Sequence, residues 1–191
     1  MLSRDEATAL LVHYGEGLPW TRHCFAVADA AEAVGSLLEA PHEVDVDSLW
    51  STALLHDIGR YATHDPIMHG VEGYRLLMSL RHEDAAFVCA SHIVFGLYAT
   101  EAVRLGLPAQ DFVPMTYEQR IVPLVDYLLE ADQPTTLERR FTSLRKRNAG
   151  NDHFLGWLER AHASAQQFMA LLDGEIGLPV EQVVASVSRR S

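Results

Sequence analysis

Apolar residues recur at helical spacing from one end of this chain to the other, and no stretch alternates apolar with polar residues as a half-buried strand would. After Pro19, a residue suited to a first helical turn, Val27, Ala30, Ala31, Val34, Leu37 and Leu38 trace one face of a helix reaching about residue 38. An earlier helix carries Leu10, Leu11 and Tyr14. Further helices are expected near 47–57, 68–80, 83–92, 116–130, 135–147 and 152–173, with a last one after Pro179. Asp45 or Asp47 suits the N-cap of the third, and Thr116 with Gln119 makes a capping box for the sixth. The fold class that follows is all-α. The run Asn148-Ala149-Gly150-Asn151 is the best linker candidate, which divides the chain into a main domain over 1–150 and a C-terminal helical extension over 151–191.

At 191 residues the chain suits one domain with an appendage. A chain of that size buries roughly 70% of its unfolded surface, so it needs no disulfide to be stable. Cys24 and Cys89 are read accordingly as buried free thiols in a reducing cytosol. The net charge of −11 argues against a nucleic acid polymer as partner, but not against a small phosphorylated molecule held at a local metal centre. The sixteen uncharged residues 85–100 are too few to span a bilayer, and the acidic start Asp5-Glu6 does not suit a signal peptide. A cytoplasmic protein with no membrane partner is therefore expected.

Ten histidines are many for a chain of this length, and a few stand in apolar helical surroundings. Two His-Asp dipeptides occur where about 0.6 would be expected by chance, so context has to separate them. His64-Asp65 precedes Pro66 in a polar loop and reads as a solvated turn. His56-Asp57 closes the apolar run Ala53-Leu54-Leu55, where unpaired polar side chains would cost several kcal/mol. His23, His92 and Asp126 stand in similar apolar company, and His69 starts a helix just before Gly70. Imidazole and carboxylate together suit divalent Mn, Fe, Co, Ni or Zn better than Ca. Adjacent residues can serve one centre only if the backbone bends at or just after them, which Gly59 would allow. A carboxylate has two oxygens, so Asp57 is the natural shared ligand of two ions. His13, His42, His82, His153 and His162 have no supporting pattern and read as surface or cap residues. The runs Arg139-Arg140 and Arg145-Lys146-Arg147 read as a solvated helix face.

The order His23, His56-Asp57, Asp126 resembles the H…HD…D signature of the HD-domain metal-dependent phosphohydrolase superfamily, and Leu55-His56-Asp57-Ile58-Gly59 resembles its HDIG variant. With His69 and His92 the pattern is similar to the two-metal subset that includes bacterial diadenosine tetraphosphate hydrolases. Wider stretches look most like small uncharacterised HDIG proteins of archaea and bacteria. The resemblance covers about residues 5–147 and departs at Ile93-Val94-Phe95-Gly96-Leu97, which is bulkier than the family's Gly-rich segment. It implies a single-domain HD-type helical bundle. It implies one ion held by His23, His56, Asp57 and Asp126 and a second by Asp57, His69 and His92, with Fe, Mn, Ni, Co, Zn or Mg as the metal.

The activity implied is hydrolysis of a phosphoester or phosphoanhydride in a small, nucleotide-like substrate by a metal-generated hydroxide. Catalytic roles are expected for Asp57, Arg60 and His64, and substrate contacts for Arg22, Arg60 and His64. Two other readings use the same ligands: a di-iron centre that activates O₂, and a metal-retaining binding module without catalysis. A homodimer is compatible with every reading.

Overall fold

Several helix starts in this chain are set by side chains that accept from backbone N–H groups left unpaired there, as at Ser3, Asp45, Thr116, Thr136 and Asn151. A computed structural model, which describes residues 2–187, shows ten α-helices among them. α1 (Arg4–Gly15) opens on a reciprocal cap between Ser3 and Glu6. α2 (Trp20–Gly35) buries Val27, Ala30, Ala31 and Val34 as the spacing requires, but ends at Gly35, so Leu37 falls beyond it and is exposed. α3 (Val46–Leu54) is capped by Asp45, whose carboxylate accepts from the N–H groups of Asp47 and Ser48.

α4 (Met68–Ser79), α5 (Glu83–Ser91) and α6 (Ala99–Arg104) follow. α7 (Tyr117–Tyr127) starts at Thr116, whose hydroxyl accepts from Gln119 N–H while the Gln119 side chain accepts from Thr116. After a strand pair, β1 (Leu129–Glu130) with β2 (Gln133–Pro134), come α8 (Leu137–Arg147), α9 (Asp152–Ile176) and α10 (Val180–Val187). α6 and the strand pair are too short to leave a periodic signature in the sequence.

α2 packs against α3, α7 and α10, α4 lies along α5, and α9 runs beside α7, α8 and residues 93–95. One buried apolar cluster takes in Val27 of α2, Leu54 of α3, Leu124 of α7 and Phe154, Leu158 and Phe168 of α9. The C-terminal helices therefore complete the same core as the N-terminal ones, and residues 148–151 form the turn between α8 and α9. Cys24 and Cys89 are buried free thiols. No helix among the described residues is long and apolar enough to cross a membrane.

The loop after α5 departs most from ordinary backbone. Val94 (φ 44°, ψ 33°) and Phe95 (φ 60°) both occupy the left-handed region, which a β-branched residue rarely enters. Buried side chains hold them there, against α9 on one side and against the candidate site on the other.

Candidate metal centre

The chain brings His56 and Asp57 to one centre by changing its helical pitch. α3 stops at Leu54, three residues short of the expected end, and the backbone tightens into i→i+3 turns. Ile58 N–H donates to Leu55 carbonyl, Arg60 N–H to Asp57 carbonyl, and residues Ile58–Tyr61 form a 3-10 turn. Leu55 (ψ 0°) and Asp57 (ψ 10°) take bridge-region backbone, which turns two neighbouring side chains to the same side. Gly59 does not supply the bend. A Cβ at Gly59 would stand 1.9 Å from the His69 carbonyl oxygen and 2.4 Å from the Gly73 nitrogen, so its role is to let α4 pass in contact. Gly70 repeats the device one layer on, since its Cβ would meet the Cys89 carbonyl of α5 at 2.5 Å. These two close approaches carry His69 and His92 to Asp57.

The six expected ligands converge. His56, Asp57, His69 and His92 are buried, and His23 and Asp126 nearly so, with side-chain exposures of 12% and 17%. Asp57 divides the set between its two oxygens. Oδ1 faces His69 Nε2 at 2.8 Å and His92 Nε2 at 3.6 Å. Oδ2 faces His56 Nε2 at 3.7 Å and His23 Nε2 at 3.8 Å. Asp126 Oδ1 joins the second group, 3.0 Å from His23 Nε2 and 3.9 Å from His56 Nε2. Arg60 closes the ring by donating from Nε to Asp57 Oδ2.

Each imidazole is oriented by a backbone carbonyl behind it. The acceptors of the Nδ1 protons are Ala131 for His23 (2.6 Å), Ala53 for His56 (2.7 Å), Asp65 for His69 (2.8 Å) and Cys89 for His92 (2.8 Å). A ring that donates from Nδ1 has, when neutral, a lone pair at Nε2. Four lone pairs therefore point inward at two carboxylates. His69 and His92 bring Nε2 atoms within 3.1 Å of each other, and His56 Nε2 is buried with no hydrogen-bond partner among the described residues. Such a cluster of acceptors needs a cation or a proton at its middle. The donor set thus fits divalent transition ions, and two subsets each present at least three converging groups: His23, His56 and Asp126, and His56, Asp57 and His92.

Electrostatics agree with a cation-ready centre. Burial alone would raise the Asp57 carboxyl, but the imidazoles of His69 and His56 outweigh it and hold the group well below the usual range. Asp126 is likewise raised by burial and lowered further by the His23 hydrogen bond, with a net fall. Burial drives His56 down to about 4, keeping it neutral. His23 is also buried, yet its contact with Asp126 more than offsets this and raises it.

These shifts give a signed prediction for chelator-treated protein. The unfolded chain takes up a proton at His56 near pH 6.5, and the folded chain does not until about 4, so stability falls as the pH drops across that window. The lowered carboxylates add a further loss below roughly pH 4, as they must protonate to unfold the centre. His23 acts oppositely, its contribution being present below 6.5 and lost as the pH rises through its raised value. The urea midpoint of the metal-free protein is expected to fall between pH 6.5 and 4, and His56→Gln to flatten that part of the curve. A wild-type midpoint that rises toward pH 4 contradicts this account.

Arg60 lines the cleft over the centre, together with His69, His92 and Asp126. Arg22 and His64 do not join it: Arg22 lines a separate surface hollow with Phe25 and Asp132, and His64 is exposed. Asp65, beside His64, has a positioning part instead. Its carboxylate caps the start of α4 by accepting from Ile67 and Met68 N–H, and its carbonyl orients His69.

Sequence reasoning missed Ala131, which acts through its backbone oxygen from a left-handed turn (φ 55°) between β1 and β2. It also misread two others. His162 is buried, stacked on Phe141 at 4.3 Å, and not at the surface. Arg140 lines the cleft, whereas Arg139 is exposed as expected. The signal for Arg140 was its register, three residues after Leu137 and four before Leu144 on the inward face of α8.

A family model of the HD domain matches residues 20–133. The chain is 36% identical over 133 residues to an uncharacterised protein of Methanocaldococcus jannaschii, covering 69% of this chain and 78% of that one. It is 33% identical over 139 residues to a tRNA (cytidine(56)-2'-O)-methyltransferase of Thermoplasma volcanium, covering 72% of this chain and 40% of that protein. A methyltransferase of the same name from Picrophilus torridus is 35% identical over 97 residues, 50% of this chain and 28% of its own. The chain thus spans less than half of either methyltransferase. No solved structure matches it. The matched segment contains all six converging residues, and with the resemblance, the match and the geometry in agreement, the chain belongs to the HD-domain family, a superfamily of metal-dependent hydrolases.

Proposed function

We propose that this protein is a phosphohydrolase that cleaves a phosphoester or phosphoanhydride of a small, nucleotide-like substrate with two divalent ions. The observation that supports it most is the division of the ligands between the two oxygens of Asp57. His69 and His92 lie toward one oxygen, His23, His56 and Asp126 toward the other, a bridged two-ion layout. Bound ions of this kind supply Lewis acidity, generating hydroxide from water near pH 7 and neutralising charge on a phosphoryl group.

The protein's own groups do the rest. The Nδ1 hydrogen bonds fix four imidazoles in the tautomer that binds cations, so little reorganisation remains at the moment of reaction. Arg60 holds Asp57 in place by donating from Nε and lines the cleft, where a guanidinium fork suits a phosphoryl oxygen. Burial of His56 and Asp57 keeps bulk water from the centre. We read the methyltransferase likeness as a shared metal-binding part, since it spans a minority of those proteins.

Protein purified without chelator, assayed with p-nitrophenyl phosphate and nucleoside phosphates under added Mn, Fe or Co, is expected to release phosphate. Chelation should abolish the release and metal should restore it. Equal rates in anaerobic buffer are expected. Product that appears only with O₂ would replace hydrolysis by oxidation, and inactivity with every metal and substrate would leave a binding module.

A further inference from the structure

The cleft has a wall that the HD family match does not include. Lining it together with His69 and His92 are Arg140, Leu144, Phe154 and Leu158, all from α8 and α9 and all beyond residue 133. Arg140 is the only charged member of that wall. Its Nε is buried with no hydrogen-bond partner among the described residues. Its one ion pair among the described residues, to Glu130, spans 3.5 Å, and that carboxylate has a nearer partner in Arg147 at 2.8 Å. A guanidinium with idle donors in an apolar wall is unfavourable until an anion completes it. Leu144, Phe154 and Leu158 offer contact area beside it but no polar group.

We propose that Arg140 receives an anionic phosphoryl oxygen of the substrate and that Leu144 and Phe154 hold an apolar ring next to it. The substrate class is then an organic phosphate with a flat, largely apolar organic part, selected by the C-terminal helices and not by the shared metal-binding segment. The planar fork of arginine can hold two such oxygens in a fixed orientation, which an ammonium cannot do. This rests on the hydrolase reading and sharpens it. The charges along α8 also fit, since Arg145 and Arg147 are paired with Glu159 and Glu130 and Arg139 is exposed, which leaves Arg140 as the α8 guanidinium that lines the cleft.

The test is calorimetric titration of manganese-loaded protein with phenylphosphonate and methylphosphonate, whose P–C bonds resist hydrolysis. Wild type is expected to prefer the phenyl compound. Arg140→Gln should weaken both ligands at least tenfold with metal content and Tm unchanged, and Arg140→Lys should recover part of the loss. Leu144→Ser, at a half-buried position, should narrow the phenyl preference without altering methylphosphonate binding. Equal affinities in wild type and Arg140→Gln overturn the proposal while leaving the hydrolase reading intact. A phenyl preference that survives Leu144→Ser overturns the apolar half of it. No binding of either phosphonate by loaded wild-type protein overturns both readings together.

Discussion

Asp57→Ala is expected to strip both ions from the protein and abolish hydrolysis. Its two oxygens face opposite halves of the centre, Oδ1 lying 2.8 Å from His69 and Oδ2 3.7 Å from His56. Removing a mere orienting partner of a ligand typically weakens metal binding 10–100-fold, so loss of a shared ligand should cost at least about 100-fold at each site. His92→Ala makes the contrast. It faces only Oδ1 and the imidazoles of His69 and His56, and should leave the ion held by His23, His56 and Asp126 in place. Metal analysis of the two variants, with wild type binding two equivalents, distinguishes them. Undiminished occupancy in Asp57→Ala would end the bridging account, and loss of both ions in His92→Ala would show one cooperative site.

Gly59→Ala is expected to be the most damaging conservative substitution in the chain. The added methyl would sit 1.9 Å from a backbone oxygen and 2.4 Å from a backbone nitrogen of α4, so a whole helix must move to admit it. Overpacking against yielding side chains costs about 1–3 kcal/mol, and rigid backbone should push the cost to about 3 kcal/mol or more. For a domain of this size that is a fall in Tm of roughly 6–12 °C. Because His69 rides on α4, the variant should also lose the ion on the Oδ1 side. Gly156→Ala is the control: nothing lies within 4 Å of its added methyl in α9, and alanine is the better helix former by about 1 kcal/mol, so Tm should rise. Thermal unfolding by circular dichroism reads both. An unchanged Tm in Gly59→Ala would mean that α4 yields freely, and the close-packing explanation of the site would fail.

The strained pair Val94-Phe95 sits at the edge of the candidate site. The side chains of residues 93–95 fill space between the cleft and α9. Bulk at 93–95 and the wall at 140–158 are complementary, which is the physical reason to look for selectivity in the C-terminal helices.

Sequence alone determined the helical class, most helix starts and the ligand types, because propensity, capping and the chemistry of an isolated polar residue on an apolar face are local properties. Thr116 with Gln119 needed no tertiary context, and neither did the oddity of Asp126 among Val122, Val125 and Leu124. Tertiary structure alone decided which groups meet. His64 lies close in sequence to the His-Asp pair and ends in solvent, while Arg140, far from any ligand in sequence, ends in the cleft. It also gave Gly59 its real task and recruited the Ala131 carbonyl, because a backbone oxygen carries no residue signature and close approach depends on a helix folded elsewhere. Direction and proximity of side chains arise from packing, which spacing along the chain does not encode.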